Sequence, residues 1–388
     1  MVPTQSPATR ASFRVAIVCA LPREADAVTL LFDEFWDETD DDRRDSDPNT
    51  YITGRIGRHN VVLAILPGMG TTSAAAATAN LTASYSSLRL ALLVGICGGI
   101  PRIGNKDAFL GDVVMSRSII QYDYGRQYPR HFVIKSTVED SLGRPNTEIR
   151  SMLAVFDTQY MARKLKYDAK GYLEDLQNAA QKEQRQTGYH YPGESEDNLY
   201  PPEYLHRHRK SCSTCADNLS VMCEAASTSS CIDVGCNPSE LVARSRTANG
   251  SGGASFVPEL FIGRIGSGNT VMKSGLDRDK IAAECGIVAF EMEGAGAWDQ
   301  VPCIVVKGIC DYSDSHKNKA WQDFAAATAA SVAKAILRRY AAGSNDQPST
   351  RLSDLKSVNE RNVADNIFKD GAWINQGDVA GNLTFTTK

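Results

Sequence analysis

The chain has 388 residues, of which 42% are hydrophobic and 23% charged, and its formal net charge is −4 at pH 7. This length suffices for one large α/β domain with appendages. The acidic balance argues against a general nucleic-acid-binding protein, although a small anionic ligand needs only a local positive site. No apolar run is long enough to span a membrane, and residues 1–12 lack the apolar core of a signal peptide. We therefore expect a cytoplasmic protein with no nucleic-acid or membrane partner.

The first third of the chain alternates buried strands with helices. The predicted strands are 13–20, 51–56, 60–66, 90–96 and 111–120. One helix is predicted to begin at Pro22, because proline suits the first helical turn. Another is predicted to follow the tight turn Gly68-Met69-Gly70 and to end near Ser84. The acidic stretch 37–47 is predicted to be a solvated loop.

The pattern changes after Ile134. Residues 136–255 are polar and rich in Tyr, Cys and Ser, which indicates an insertion that is partly helical around 152–181. Regular alternation returns at Phe256. The later predicted elements are strands at 261–265, 287–290 and 303–309, and helices at 277–285, 294–298 and 321–340.

Strands alternating with helices favour one three-layer α/β domain. We assign residues 12–340 to this domain, with 136–255 inserted into it. Residues 341–358 are then a linker and 359–388 a separate tail.

Two carboxylates suggest the chemistry. Glu293 lies in the run Phe290-Glu291-Met292-Glu293, where a carboxylate can accept hydrogen bonds from a vicinal diol. Asp311 follows the apolar run 303–309, at the carboxyl end of a predicted strand, where α/β proteins build their sites. A sugar-binding carboxylate beside a proton donor points to cleavage of a glycosidic bond.

Several motifs together resemble the purine nucleoside phosphorylase/uridine phosphorylase superfamily, most closely its nucleosidase branch and related fungal domains. The resemblance covers about 12–135 and 256–340. The matching segments, in the order typical of the family, are 16–24, 68–70, 94–99, 111–114, 291–293 and 308–311. The resemblance implies a three-layer αβα fold with a central mixed sheet, and a homo-oligomer.

The resemblance also implies roles for individual residues. Asp311 would protonate purine N7 as a general acid, with its pKa raised in an apolar cleft. Glu293 would bind the ribose hydroxyls and Met292 would pack on the sugar. The simpler alternative is that Glu293 caps a helix and Asp311 only ends a strand. The other residues predicted to bind the substrate are Phe290, Glu291, Asn269, Val271, Met272, Cys97 and Gly98.

The acceptor of the ribosyl group is predicted from three other positions. Leu93 and Ile96 stand where bacterial-type phosphorylases of the family carry phosphate-binding residues, and neither can bind an anion. Glu24 matches the glutamate with which nucleosidases activate water. The missing anion-binding residues at 93 and 96 and the glutamate at 24 both favour hydrolysis. Glu24 could instead be a solvated residue in a helical turn.

A phosphate on the 5′ position of the substrate would need cations. Arg102, Arg126, His316 and Lys317 are candidates, which keeps nucleotides open as substrates. The alternative is ordinary surface charge near the site.

Catalysis needs no cofactor in this interpretation, but a structural zinc ion would help to order the insertion. Cys212-x-x-Cys215 has the spacing of a zinc half-site, and Cys231 with Cys236 would supply the second half. Loose cysteines in a cytosolic loop need no metal, so both interpretations stand.

The tail alternates short apolar stretches with Asn, Gln and Gly, as in Trp373-Ile374-Asn375-Gln376-Gly377. It resembles the amyloid signalling motifs of fungal defence proteins and could assemble into cross-β layers, whereas the alternative is a disordered tail. We predict a purine nucleoside or nucleotide N-ribohydrolase. The alternatives are a phosphate-dependent purine nucleoside phosphorylase, and a nucleoside-binding sensor or defence effector activated by tail assembly.

Overall fold

The computed structural model describes residues 7, 9–36, 46–209, 212–218, 222–244, 246, 256–317 and 319–341. Nearly all of the predicted linker and the whole predicted tail, and most of the predicted acidic loop, lie outside the described residues. Among the described residues, no helix combines the length and the apolar character needed to cross a membrane.

Thirteen strands occur in the described residues. In chain order they are β1 (Val15–Cys19), β2 (Glu34–Trp36), β3 (Tyr51–Ile56), β4 (His59–Ile65), β5 (Leu90–Gly99), β6 (Arg102–Ile103), β7 (Lys106–Asp107), β8 (Val113–Gln121), β9 (Gly125–Tyr128), β10 (His131–Ile134), β11 (Leu260–Ser267), β12 (Ile287–Glu291) and β13 (Cys303–Asp311). The strands predicted from buried apolar runs are all present, with ends that differ by a few residues.

The same part of the chain contains nine α-helices. They are α1 (Pro22–Thr29), α2 (Thr71–Ser84), α3 (Thr147–Phe156), α4 (Gln159–Lys182), α5 (Ser213–Asp217), α6 (Cys231–Val234), α7 (Gly275–Cys285), α8 (Gly294–Trp298) and α9 (Gln322–Arg339).

Nine strands form one mixed sheet in the order β12-β11-β8-β13-β5-β1-β4-β3-β2. The pairs β1–β4, β1–β5, β5–β13, β8–β11 and β11–β12 are parallel, whereas β8–β13 and the pairs of the β2-β3-β4 edge are antiparallel. β12 also pairs with β5, which closes five strands into a barrel-like ring. The predicted central mixed sheet is confirmed.

Helices cover both faces of β13. Consecutive strand residues point to opposite faces, so Lys307 contacts Glu293 at the start of α8 whereas Gly308 faces α9. A Cβ atom at Gly308 would lie 2.0 Å from the carbonyl oxygen of Ala325. Glycine at 308 therefore lets α9 pack directly on the strand, which completes the predicted three-layer α/β architecture.

The predicted helical stretch 152–181 is two helices. The chain breaks between them at Thr158, whose hydroxyl accepts a hydrogen bond from the Met161 backbone nitrogen and so caps α4. α4 buries Leu165, Leu173 and other residues along one side and packs against α9. This part of the predicted insertion therefore belongs to the main core.

The later part of the insertion, within 183–246, contains only short helices among its described residues. A small cluster of Tyr200, Ala226, Val234 and Cys236 forms its interior. The β9–β10 hairpin and the short β6–β7 hairpin were not predicted, because neither contains a buried apolar run.

Candidate active site

The segment after β12 folds around the side chain of Glu291. This buried carboxylate accepts hydrogen bonds from the backbone nitrogens of Glu293 (3.0 Å) and Gly294 (2.9 Å). A Cβ atom at Gly294 would lie 2.8 Å from Glu291 Oε1, so glycine makes room for the carboxylate. Burial, together with the charge of Glu293, raises the pKa of Glu291 to about 7. Glu291 therefore holds the start of α8, and with it Glu293.

Glu293 forms a buried ion pair with a lysine in the middle of β13. Lys307 Nζ lies 2.9 Å from Glu293 Oε2, and both side chains are buried. Burial acts to lower the pKa of Lys307, but the charges of Glu293 and Glu24 outweigh it and raise that pKa. Sequence reasoning missed Lys307. The signal was a lysine inside the apolar run 303–309, since a buried lysine nearly always has a partner.

Glu24 lies in the first turn of α1 and is 1% exposed, which excludes a solvated helical residue. Its Oε2 accepts hydrogen bonds from the backbone nitrogens of Ala20 (2.8 Å) and Leu21 (2.9 Å). Its Oε1 accepts one from the Ile96 nitrogen (2.8 Å), which links α1 to β5. Burial raises the pKa of Glu24, and the Lys307 ammonium opposes this shift. Since a carboxylate oxygen offers two acceptor positions, Oε1 keeps one free.

The position of Glu24 depends on a glycine in the neighbouring strand. A Cβ atom at Gly95 would lie 2.2 Å from Glu24 Oε1 and 2.4 Å from its Cδ. Any larger residue at 95 would therefore displace the carboxylate. Gly95 also pairs with Lys307 in the register of β5 and β13, so the lysine and Glu24 meet at the same level of the sheet.

Asp311 ends β13 beside the end of β5, where its register partner is Gly98. Its Oδ1 accepts a hydrogen bond from the Ser313 nitrogen (2.8 Å) and pairs with Lys317 Nζ at 2.9 Å. Burial acts against the charged form of Lys317, yet Asp311 raises the pKa of that lysine. The Oδ2 atom accepts only a weak bond from the Cys310 thiol (3.4 Å) among the described residues, so it is the oxygen with free capacity.

The loop after Asp311 approaches β5 closely at Gly98. A Cβ atom there would lie 2.1 Å from Ser313 Oγ and 2.8 Å from Asp311 Oδ1. Ser313 has a left-handed backbone (φ 54°), and its buried Oγ has no hydrogen-bond partner within the described residues. Ser313 therefore combines a strained backbone with an unsatisfied hydroxyl close to Asp311, which the sequence did not indicate.

The residues predicted to line the base are only partly together. Phe290 and Met272 belong to one buried cluster, in which Phe290 makes an edge contact with Tyr122 at 5.3 Å between ring centroids. Val271 is 47% exposed. Asn269 is exposed too, and its Oδ1 accepts a hydrogen bond from the Thr71 nitrogen (2.9 Å) at the start of α2. Met292 is half-buried, and Cys97 and Gly98 are buried at the end of β5.

A family profile described as the Phosphorylase superfamily matches residues 14–342. The chain belongs to the phosphorylase superfamily. The superfamily expected from the motifs is thereby confirmed, whereas the nucleosidase branch and the predicted homo-oligomer stay predictions.

A curated relative also matches this phosphorylase-superfamily chain. It is described as a nucleotide-binding leucine-rich repeat (NLR)-like protein of Hyaloscypha variabilis and is 30% identical over 331 residues. The match covers 84% of this chain but 29% of the relative, so the chain spans less than a third of that relative's length.

Among the solved structures with a similar fold are these two. Futalosine hydrolase of Helicobacter pylori is 16% identical, with a TM-score of 0.48 over 85% of this chain and 99% of that chain. The 5′-methylthioadenosine/S-adenosylhomocysteine nucleosidase of Neisseria meningitidis is 13% identical, with a TM-score of 0.47 over 84% of this chain and 99% of that chain.

The four residues predicted to bind a 5′ phosphate have different surroundings in this superfamily member. Lys317 pairs with Asp311, and the ring of His316 is buried and stacks on Tyr200 at 4.1 Å. Arg102 is largely exposed and lies 3.6 Å from Asp107, in the wall of a cavity of about 440 Å³. Arg126 is exposed on the β9–β10 hairpin. Two of the four are therefore engaged inside the protein.

A larger cavity of about 660 Å³ lies at the far end of β8 and is lined by Ile119, Gln121, Arg144 and other residues. Neither Glu24, Glu293 nor Asp311 lines it. Ile119 also lies next to Gly294, since a Cβ atom at Gly294 would be 3.2 Å from the Ile119 side chain. The cavity therefore adjoins the site but does not contain its carboxylates.

The four cysteines predicted to share one metal site are Cys212, Cys215, Cys231 and Cys236, and the structure places them in or beside two separate Cys/His groups. Within the described residues, two Cys/His groups have ligand atoms within 4.8 Å of one another. They are the outer group (His208, Cys212, Cys215 and Cys223) and the inner group (His206, Cys236 and His316). Cys231 lies beside the inner group, 3.6 Å from His206 Nδ1. Chain spacing alone did not indicate that the fold adds three histidines and Cys223 to these cysteines.

Proposed function

We propose that the protein hydrolyses the N-glycosidic bond of a purine ribonucleoside, releasing the free base and ribose. Glu24 activates water, Glu293 binds the ribose hydroxyls and Asp311 protonates the leaving base. A nucleoside is favoured over a nucleotide, because His316 and Lys317 are engaged inside the protein and are not free for a 5′ phosphate.

The buried carboxylate of Glu24 is the observation that carries this proposal. Three backbone hydrogen bonds fix it next to β5, and one acceptor position of Oε1 remains for a water proton. A phosphate dianion bound there would face this carboxylate. Leu93 and Ile96 on the same strand supply no cation to offset the repulsion. Neutral water is therefore the favoured acceptor.

The departing base needs a proton as the C–N bond breaks. Both bonding electrons go to the base, and a proton delivered to purine N7 neutralises it. Asp311 can deliver this proton through Oδ2, which is free while Oδ1 is held by Ser313 and Lys317, once the carboxyl group has taken up a proton from solvent. The Lys317 ammonium then compensates the carboxylate that is left, so Lys317 acts on the reaction through Asp311.

The sugar develops positive charge in the same step. Lys307 holds Glu293 Oε2, which leaves Oε1 to accept hydrogen bonds from the ribose hydroxyls. Water then adds to the anomeric carbon and gives up its proton to Glu24. Glu24 then releases this proton to solvent and Asp311 takes one up, so the sum over one cycle is one nucleoside plus one water giving one base and one ribose.

Product analysis tests the proposal directly. The full chain is incubated with adenosine, inosine, guanosine, AMP and ATP, with and without phosphate, and the sugar product is identified by chromatography and NMR. Free ribose formed without phosphate supports hydrolysis. Strict phosphate dependence with release of ribose 1-phosphate would instead establish the phosphorylase alternative, and no cleavage of any substrate would favour a nucleoside-binding sensor.

Variants assign the roles. Asp311→Asn and Glu24→Gln are each expected to lower kcat by about 10²–10⁴-fold, the usual contribution of a general acid or base. Asp26→Asn is the matched control, because Asp26 lies in the same helix as Glu24 with its side chain 58% exposed. A rate near wild type for Asp311→Asn would remove Asp311 as the acid.

The NLR-like relative supports a second proposal, that the domain is the enzymatic effector of a defence protein. The similarity to it extends over 84% of this chain. Expression of the wild type and of Asp311→Asn in the same host tests this proposal. Toxicity or nucleoside depletion only with the wild type supports an effector, and equal growth with unchanged nucleosides argues against it.

A further inference from the structure

The inner Cys/His group sits between the insertion and the loop that follows Asp311. His206 and Cys236 come from the insertion, with Cys231 beside them, whereas His316 lies five residues after Asp311 and next to Lys317. A hydrogen bond also joins the two segments, since the His206 backbone nitrogen donates to the side-chain oxygen Oγ of Ser315 (2.9 Å). The group therefore connects a segment remote in sequence to the candidate active site.

The local fold brings the two cysteines together despite their wide spacing. Residues 231–234 form the single turn α6, and Gly235 ends it in a left-handed conformation (φ 78°). The chain then turns back, and the Cys236 nitrogen donates to the Cys231 carbonyl oxygen (2.8 Å). A helical turn closed by glycine thus converts a gap of four residues into two adjacent sulfurs.

His206 presents a lone pair to both sulfurs. Its Nε2 lies 2.9 Å from the Ala226 carbonyl oxygen and 3.0 Å from that of Ser229, so Nε2 carries the proton and donates it. Nδ1 then has a free lone pair and lies 3.6 Å from the sulfurs of Cys231 and Cys236. One lone pair can serve one thiol but not two. A backbone carbonyl that fixes the opposite ring nitrogen is the usual support of a metal-binding histidine.

His316 adds an unsatisfied group at the same place. Its ring is buried against Tyr200, and neither ring nitrogen has a hydrogen-bond partner within the described residues. A nitrogen of this ring lies within 4.8 Å of the ligand atoms of His206 and Cys236. Buried polar atoms are rarely left unsatisfied, so this ring indicates a ligand that it binds.

The separations fit a tetrahedral zinc ion. Bonds of about 2.3 Å to sulfur and about 2.0 Å to nitrogen place S and N about 3.6 Å apart and two sulfurs about 3.8 Å apart. In the inner group, the two sulfurs of Cys231 and Cys236 each lie 3.6 Å from His206 Nδ1. In the outer group, Cys223 Sγ lies 3.3 Å from His208 Nδ1 and 3.9 Å from Cys212 Sγ. Two thiolates with two imidazoles, and three thiolates with one, are both zinc ligand sets.

We propose that the chain binds two zinc ions, and that the inner one fixes the loop carrying Asp311 and Lys317. The inner ion is bound by His206, Cys231, Cys236 and His316, and the outer ion by His208, Cys212, Cys215 and Cys223. The outer ion orders the insertion, and the inner ion transmits that order to the candidate active site. His316 is then a positioning residue and not a phosphate ligand.

Metal content of the purified full chain, measured by native mass spectrometry and plasma emission, tests the proposal without any assay of activity. Two zinc ions per chain are expected. His316→Ala should bind one, His316→Cys should restore the second, and Cys223→Ser should lose only the outer ion. Cys285→Ser is the matched control and should keep two, since Cys285 is buried but outside both groups.

Hydrogen exchange of peptides covering 311–317 then tests the link to the site. Chelation of zinc should raise the hydrogen-exchange rate of this loop at least about tenfold, and so should His316→Ala. Cys223→Ser, which keeps the inner ion, should raise that rate less. Less than one zinc ion per chain, a Cys231–Cys236 disulfide in the purified protein, or two ions retained in His316→Ala would each overturn the proposal. Because none of these readouts uses the reaction, their failure is distinct from a failure of the proposed hydrolysis.

Discussion

Replacing Lys307 with methionine tests the electrostatic centre of the site. Lys307 is 2% exposed and is the cation that faces the buried carboxylates of Glu293 and Glu24. Methionine keeps a long side chain in the core but removes the charge. The carboxylates would then be buried without compensation.

The expected loss of stability follows from breaking a buried ion pair. Removing one partner of such a pair costs about 3–5 kcal/mol, because the other charge stays buried and unpaired. Part of this loss should be recovered at low pH. Lys307 lowers the pKa values of Glu24 and Glu291, so its removal raises both further. A carboxyl group with a raised pKa in the folded state stabilises the fold at low pH and loses that effect as pH rises through the raised value.

Urea unfolding of wild type and Lys307→Met at pH 6 and pH 8 measures both effects. The variant should lose about 3–5 kcal/mol at pH 8 and less at pH 6. Lys106→Met is the control, because its pair with Glu259 is exposed and should contribute about 1 kcal/mol or less. The double variant Lys307→Met/Glu293→Gln should be more stable than Lys307→Met. A loss below about 1 kcal/mol at pH 8 would refute the assignment of a buried pair.

Three further predictions concern single residues. Gly95→Ala places a Cβ atom 2.2 Å from Glu24 Oε1 and should lower kcat about 10²-fold in the nucleoside assay. Gly171→Ala is the control and should leave kcat unchanged, because Gly171 has open space around it. Lys317→Met should lower kcat by about 10²-fold with a smaller change in KM, and equal kcat values would contradict its role beside Asp311. The pKa of Glu291 is raised to about 7, so its contribution to the stability of the wild type is fully present below about pH 4.5 and is lost as the pH rises through 7. Glu291→Gln should therefore flatten the change in unfolding free energy between pH 6 and pH 8.

Much of the sheet could be predicted from sequence because its strands are continuous apolar runs. A strand that is buried on both faces is a continuous apolar run in the sequence, as in β1, β5 and β13, and this run can be recognised without knowledge of distant residues. The same runs located Asp311 at a strand end. α4 was less visible because its apolar residues, such as Leu165 and Leu173, lie within a polar stretch and had to be read at helical spacing.

The polar contacts could not be predicted in the same way. Lys307 and Glu293 are 14 positions apart, and Glu24 reaches Ile96 across 72 positions, so only the fold brings them together. The roles of Gly95 and Gly98 likewise depend on a side chain from another element that fills the space of a missing Cβ. His316 was predicted to be a phosphate ligand because its burial against Tyr200 leaves no trace in the nearby sequence.

The charges around Lys307 also bear on the choice of acceptor. The single ammonium of Lys307 interacts with three carboxyl groups, those of Glu293, Glu24 and Glu291. When two or more of these carboxyl groups are ionised, negative charges outnumber the positive charge. Such a centre stabilises a sugar that becomes cationic, because charge that develops in a buried site is sensed at low dielectric. The same excess of negative charge disfavours an approaching phosphate dianion and has no such effect on neutral water. In the proposed reaction, Glu24 would therefore favour hydrolysis in two ways, as the base that accepts the water proton and as part of the field that selects water.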